Sequence, residues 1–415
     1  MKVIHLNHSD ISGGAARATY RIHNCLNKAG VHSRMWVNKA TAGDWSVEGP
    51  STLSERIGVS LRNQFGTQFH RYFKKGESQP YSLALMPSKW VRRINQSDAD
   101  VVHLHWVANE MISIADIGSI KKPIVWTLHD MWAFCGAEHY ADDLRWREGY
   151  HSDNRPTHES GFDFNLWCWQ RKIKHWKLPM HIVSPSHWLA ACARQSVLMG
   201  DWPGKVIPNP IDTDRWKPIE QSLARKLLGL PNDKPLLMFA SMGGVVDPRK
   251  GYDLLIAALQ HLKKNPVAKG LELIVAGQLE PMKSPDLGFP IHFTGHLHDD
   301  LSLRAFYSAA DALIVPSRLD NLPNTGVEAQ ACGTPVIAFD NSGLPSIVDH
   351  RTTGYLARAF DTESLARGIS WVIENSNKQE LRHKSRKRAE KLFAESIVAA
   401  RYQEVYRQAI SSKMF

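Results

Sequence analysis

ALIVPSRLDNLPNTGVE, residues 312–328, reads as a short buried strand, a turn and the start of a helix. Ala312 to Val315 is an apolar run of strand length, and the turn around Pro323 and Asn324 precedes Gly326, which opens the helix. Strand followed by helix is the repeating unit of a parallel α/β sheet, whose ligands gather at the carboxyl ends of the strands. Asp320 and Glu328 therefore lie where such a sheet presents ligand-binding groups, beside helix-start N–H groups that suit a phosphate or a sugar hydroxyl. Asp320 can accept from sugar hydroxyls, and Glu328, expected in the first helical turn, can take both hydroxyls of a ribose. The plainer alternative makes Glu328 a helix-start acid favoured by the macrodipole and Asp320 a turn former.

The same alternation runs through the chain in both directions. Strand-length apolar runs cover 3–7, 34–38, 101–106, 124–128, 181–184 and 206–208 in the first half, then 236–240, 271–276, 291–294, 312–315 and 336–339. With 415 residues the chain exceeds one ordinary core, so two domains are expected. Pro208 and Pro210 interrupt the series at Ile207–Asp212 and mark the joint. The reading is an α/β chain of two Rossmann-like domains: an acceptor domain over 1–208, a donor domain over 209–390, and a last helix over 391–415 that crosses back onto the first domain. The segment from Trp132 to Trp176 fits no tidy strand or helix until about Phe164 and is expected to be a long surface excursion beside the site.

Charge and cysteines narrow the class. Lysine and arginine total 51 against 41 acids, a net +10 that suggests an anionic partner. Basic and aromatic residues cluster at His70–Lys75, Lys89–Arg93 and Trp169–Lys177, either as solvated helix faces or as contacts to an anionic membrane surface. Nucleic acid explains the charge but not the carboxylate pair, and is not expected as a partner. Five scattered cysteines without a CxxC pair fit a reducing compartment. The amino-terminal apolar run is too short for a signal peptide and no stretch reaches spanning length, so a cytoplasmic protein, peripheral on the inner membrane at most, is expected.

Three further turns follow strands. Ser12-Gly13-Gly14-Ala15 lacks the GxGxxG spacing; its small residues either admit a ligand to the backbone or serve only as a turn. Thr127-Leu128-His129-Asp130 brings His129 to a strand end, where it can bond a hydroxyl, manage a proton or be tied into its own loop. His103 and His105 share a strand face, but without a carboxylate or thiolate motif beside them no metal site is read there. Ala240-Ser241-Met242-Gly243-Gly244 leads to Asp247-Pro248-Arg249-Lys250-Gly251, where two cations approach a helix N-terminus and make a cradle for a diphosphate.

Taken together, Gly13-Gly14, Trp126-Thr127-Leu128-His129-Asp130-Met131-Trp132, Ser184-Pro185-Ser186, Val206–Asp212, Arg249-Lys250-Gly251, the Asp320/Glu328 pair and Gly333–Ala338 resemble the family 4 glycosyltransferases. These are retaining enzymes of the GT-B fold, two Rossmann-like domains facing each other across a cleft. Within the family the chain is most similar to exopolysaccharide transferases of the colanic-acid type. The resemblance implies that Arg249 and Lys250 bind the donor diphosphate, Glu328 the ribose and Asp320 the transferred sugar. His129 would lie beside that sugar, Gly14 would let a loop close over the phosphates, and Asn324, Thr325 and Gly326 would offer backbone N–H groups. Asp320 departs from the family's usual glutamate, the joint has Pro-Asn-Pro where Pro-Asn-Gly is common, and only Cys135 and Cys168 remain in the insert where similar chains carry several cysteines. A zinc site from these with His139, His151 and His158 lacks finger-like spacing and is not expected.

The implied activity is metal-independent transfer of a hexosyl unit, with retained configuration, from a nucleotide diphosphate sugar to a glycan or lipid-linked acceptor in surface polysaccharide synthesis. No cofactor is expected, the nucleotide sugar being the substrate. A nucleotide-sugar epimerase and a non-catalytic nucleotide-sugar-binding protein are the alternatives.

Overall fold

A computed structural model describes residues 1–73, 80–240, 247–277, 279–280, 287–297, 299–375 and 378–412, with side chains left out at 69–73. The turn Ser241–Gly244 and Lys74 and Lys75 of the first basic cluster lie outside the described residues. The chain divides into two compact units, Met1–Pro208 with Val398–Phe415, and Asn209–Ile397. Residues 391–397 thus stay with the second unit, because Phe393 packs in its core and its carbonyl accepts from the Ile211 N–H.

The first unit is built on seven parallel strands: β1 (Lys2–Ser9), β2 (His32–Lys39), β3 (Val47–Glu48), β4 (Val101–Leu104), β5 (Ile124–Thr127), β6 (His181–Ser184) and β7 (Gly204–Val206). Their order is β3-β2-β1-β4-β5-β6-β7, a doubly wound sheet whose direction of winding reverses between β1 and β4. Alternate residues of each strand enter different cores. Ile4 and Leu6 pack with Leu104 and Trp126, whereas Val3 packs with Val101, Val125 and Val183 under Val398, Tyr402 and Tyr406 of the last helix, Glu395–Ser412. That helix therefore closes one face of the sheet.

The second unit has six parallel strands: β8 (Leu236–Ala240), β9 (Glu272–Ala276), β10 (Ile291–Phe293), β11 (Ala312–Val315), β12 (Val336–Phe339) and β13 (Gly354–Ala357), in the order β10-β9-β8-β11-β12-β13. Here the winding reverses between β8 and β11, whose residues are in register from Ala312 against Leu237. The sequence reading lacks β3 and β13. Each is short, and β13 starts at Gly354, whose missing side chain lets the Val336 carbonyl come within 1.9 Å of where a Cβ would stand.

One expectation is overturned in part. No residue of 151–162 is buried, but the flanks of the 132–176 segment are no surface excursion: Trp132, Phe134, Cys135, Tyr150, Cys168, Trp169 and Trp176 are buried in the first unit's core. Its irregular backbone is satisfied from within by Lys172 on the helix Phe164–His175, which donates to the carbonyls of Cys135 at 3.0 Å, Gly136 at 2.7 Å and Trp132. Burial pushes this ammonium down to about 8, and nearby cysteines and Glu138 oppose the shift.

Candidate functional site

The switch point of the second sheet gathers most of the residues expected to bind a donor. After β8 the chain reaches a single 3-10 turn, Pro248–Lys250, capped by Asp247, whose Oδ1 accepts from the Arg249 N–H at 3.0 Å. Asp247 also holds the Arg249 guanidinium, Nη2 to Oδ2 at 2.7 Å. Gly251 then enters the left-handed region at φ 66° and opens the helix Tyr252–Leu262. A Cβ there would stand 1.9 Å from the Pro316 carbonyl oxygen, so the glycine lets this turn meet the loop after β11.

That loop is fixed to the turn by the Arg318 N–H, which donates to the Arg249 carbonyl at 2.7 Å. It carries Asp320, whose Oδ2 accepts from Lys250 Nζ at 2.6 Å and from Ser317 Oγ at 3.4 Å. Backbone bonds from Asp320 N–H to Ser342 Oγ and from Gly343 N–H to the Asp320 carbonyl lock the acid in place. Lys250 and Asp320, expected separately, are thus one partly buried ion pair at the carboxyl edge of the sheet. A ligand hydroxyl reaching Asp320 meets a carboxylate already oriented by an ammonium.

The helix Asn324–Ala331 starts without a side-chain cap. Asn324 is pinned by Asn209 of the joint, which donates from Nδ2 to its Oδ1 at 3.1 Å. Two expectations change here. The Gly326 N–H is used inside the turn, donating to the Pro323 carbonyl at 3.1 Å, and Gly326 instead leaves room for Ile347, whose Cδ1 would lie 2.9 Å from a Cβ. Glu328 lies beyond the first helical turn, because the helix begins at Asn324; the macrodipole explanation falls with that placement. Glu328 is buried and its Oε2 accepts from Tyr307 OH at 3.0 Å, a bond that orients the carboxylate.

In the first unit, Gly13 ends the β1 loop at φ 99° with nothing within 4 Å of a Cβ position, and Gly14 begins the helix Gly14–Lys28. The space a side chain would fill at Gly13 is empty. His129 and Asp130 follow β5. Asp130 accepts from Trp106 Nε1 at 2.9 Å and the Trp132 N–H at 3.0 Å, and lies 2.6 Å from His139 Nδ1. Burial alone would raise this acid, but His139 and these donors together lower it. His129 Nε2 lies 3.2 Å from His105 Nδ1, and burial pushes His129 down to about 4 against the opposing pull of Asp130. The recess beside them, lined by His105, Trp106, Asp130 and His139, encloses about 10 Å³, room for a water rather than a sugar.

Two family models match the chain in succession, Glycosyltransferase Family 4 over residues 12–215 and Glycosyl transferases group 1 over 221–392. The chain belongs to the family 4 glycosyltransferases. Its fold is GT-B, built of two Rossmann-like domains. It is similar to sucrose-phosphate synthase from Thermosynechococcus elongatus, with a TM-score of 0.66 and 18% identity over 99% of this chain and 100% of that one. It is also similar to HepE of Anabaena in complex with UDP-glucose, with a TM-score of 0.65 and 17% identity over 98% and 100% of the two chains. Among curated sequences, the D-inositol 3-phosphate glycosyltransferase of Geodermatophilus obscurus is 33% identical over 183 residues, 40% of each chain. The match thus spans about two fifths of that relative's length.

The residues of this family 4 chain that sequence reasoning missed are supporting ones. Asp247 carried a signal, standing directly before Pro248 as helix-capping acids do. Asn209 sits in the proline joint, which was read as a domain break and a family motif but not as a side-chain partner of Asn324. Tyr307 carried none, and His139 was weighed only as a metal ligand, since their partners Glu328 and Asp130 become neighbours only through the fold.

Proposed function

We propose that the chain transfers a hexosyl unit from a nucleotide diphosphate sugar to a hydroxyl of a glycan or lipid-linked acceptor, with retention of configuration. The observation that carries this reading is the Lys250–Asp320 pair at the switch point of the second sheet, with Arg249 beside it. Charge builds on the diphosphate as its bond to the anomeric carbon breaks, and Arg249 and Lys250 are the cations that would stabilise it without a divalent ion. Asp320 would hold a hydroxyl of the transferred sugar and Glu328 the ribose. The acceptor oxygen bonds to the anomeric carbon on the face the phosphate leaves, and its proton passes to a phosphate oxygen. His129 would position a sugar hydroxyl rather than attack.

The acceptor belongs, in this reading, to the first unit, and its setting is the cytoplasmic face of an anionic membrane where surface polysaccharide is assembled. Leu53, Ile57, Leu61 and Phe65 recur every four residues on the helix Leu53–Phe73 and are all exposed, an apolar stripe suited to a lipid surface. Beside the helix lies a cavity of about 710 Å³, of ligand-binding size, where Arg62, Lys89, Arg92 and Arg93 outnumber Glu48 and Glu55. No helix among the described residues is long and apolar enough to cross a membrane.

Incubation with UDP-, GDP- and dTDP-sugars and a lipid or glycan extract, read by nuclear magnetic resonance of the new anomeric centre, tests the proposal. A product with the donor's configuration is expected. Donor isomerised without acceptor points to an epimerase, and binding without transfer to a non-catalytic binder; either outcome overturns it. Pelleting with vesicles that contain anionic lipid, and not with neutral ones, is expected for the membrane part. Equal absence of binding to both contradicts it.

A further inference from the structure

The cavity beside the helix Leu53–Phe73 arises from the way that helix stands on the first unit. Its second half is held down. Arg62 donates to the carbonyls of Met86 at 3.0 Å, Glu110 at 3.3 Å and Pro87, and Asn109 Nδ2 donates to Asn63 Oδ1 at 3.3 Å. Gly66 allows a close approach there, since a Cβ would stand 3.1 Å from Asn109 Oδ1. The first half stands off: Ser54, Glu55, Gly58, Val59 and Arg62, at helical spacing, line one wall of about 710 Å³, and Lys89, Trp90, Arg92 and Arg93 line another. All of these residues belong to the first unit.

Gly58 marks the open space. Nothing lies within 4 Å of where its Cβ would stand, so no neighbour requires a glycine, and after proline glycine is the poorest helix former. Because Gly58 lines the cavity, a large side chain there would take up its volume.

The charges leave part of the lining available to a ligand. Four cations, Arg62, Lys89, Arg92 and Arg93, face two acids, Glu48 and Glu55, and both acids are engaged. Glu48 accepts from Arg34 at 3.2 Å and from Arg93, and Glu55 Oε2 accepts from the N–H groups of Ser51 at 3.0 Å and Thr52 at 3.4 Å. Arg62 is spent on its three carbonyls, and Arg93 lies over the Trp36 ring, 4.0 Å from its centroid. Lys89 reaches Glu55 only at 3.9 Å, and Arg92 is exposed, with no partner among the described residues. Beside these two cations Trp90 is half-buried and stacked on Trp36, with ring centroids 5.9 Å apart.

Two surplus positive charges match a phosphate monoester, which carries about two negative ones, better than a carboxylate, which carries one. The volume exceeds what a phosphate alone needs and suits a small organic ligand. We propose that this cavity binds a sugar phosphate, its phosphate held by Lys89 and Arg92 and its ring against Trp90. The sugar phosphate is either a free molecule or the head of a lipid. That it forms the acceptor's phosphorylated end rests on the transferase reading above, but the binding itself does not.

Calorimetric titration of the full chain with glucose 6-phosphate, glucose, glucuronate and inorganic phosphate tests the assignment. Glucose 6-phosphate is expected to bind about tenfold or more tightly than each of the others. Arg92→Gln should weaken that binding roughly tenfold, the loss of one charge-assisted contact, and Gly58→Trp, which fills the space without changing the charge, should abolish it. In a second arm, vesicles that contain phosphatidylinositol 4-phosphate should pellet the parent chain and retain Gly58→Trp less. Vesicles matched in charge with phosphatidylglycerol, which the apolar stripe alone could hold, should not tell the two chains apart. Binding in the first arm names a free sugar phosphate, and binding in the second arm alone names a lipid head. No binding in either arm, binding that both variants leave unchanged, or glucuronate or inorganic phosphate bound as tightly as glucose 6-phosphate overturns the proposal. Binding lost in Lys250→Ala but kept in Arg92→Gln would put the ligand at the donor edge and overturn it too, so failure here is distinct from failure of the donor reading. If Gly58→Trp does not fold, the exposed Arg92 still decides.

Discussion

At the residue scale, the proposed donor edge depends on Lys250, Asp320 and Gly251. Lys250 orients Asp320 at 2.6 Å and is the cation proposed to meet a departing diphosphate. Lys250→Ala is expected to lower turnover by about a hundredfold to a thousandfold, since one preorganised charge-stabilising group is lost. Thermal denaturation should find its fold intact, because the pair is partly exposed. Gly251→Ala should behave differently: φ 66° and a Cβ 1.9 Å from the Pro316 carbonyl force the two loops apart. Loss of both stability, by about 1–3 kcal/mol in urea unfolding, and donor binding is expected. Much of this was legible, because Asp320, Lys250 and His129 each follow a recognisable apolar strand. Their partners were not, because Lys250 and Asp320, or Asp130 and His139, pair through sheet order and loop closure rather than spacing.

At the element scale, the 132–176 segment misled the sequence reading for a definable reason. Its burial is built from aromatic residues without helical or strand period, and its hydrogen-bond donor is a lysine, a residue rarely buried. Lys172→Met keeps the apolar stem over Trp132 but leaves three carbonyls without their donor. A loss of roughly 3 kcal/mol or more in chemical unfolding is expected, and an unchanged midpoint would refute the pinning role. The four-residue spacing of Leu53, Ile57, Leu61 and Phe65 was equally readable but went unused. Periodicity shows that a helix has an apolar face, and only the fold shows that the face is exposed.

At the scale of the whole molecule, buried histidines make stability depend on pH. His8, His23 and His129 are pushed from 6.5 down to about 4 by burial, and burial lowers His5, His103 and His105 as well. Between those values the unfolded chain binds more protons than the folded one, so acid favours unfolding. Stability should therefore be full above pH 6.5 and fall as pH drops toward 4, by about 1.4 kcal/mol per pH unit for each such histidine. Melting temperatures measured from pH 7.5 to 5 check this, and a flat profile contradicts it. If Arg249 and Lys250 stabilise the leaving diphosphate, transfer should also persist in excess chelator, whereas activity lost to chelator and restored by magnesium or manganese would assign that work to a metal.

In the proposed function the carboxyl edge of the second sheet binds a nucleotide diphosphate sugar through Arg249, Lys250 and Asp320. Calorimetric titration of the full chain and of Lys250→Ala with UDP-, GDP- and dTDP-sugars tests it most directly. At least one should bind the parent chain and bind the folded variant about tenfold or more weakly, the loss of one charge-assisted contact. Binding of equal strength to both chains, or of none to either, would contradict the account.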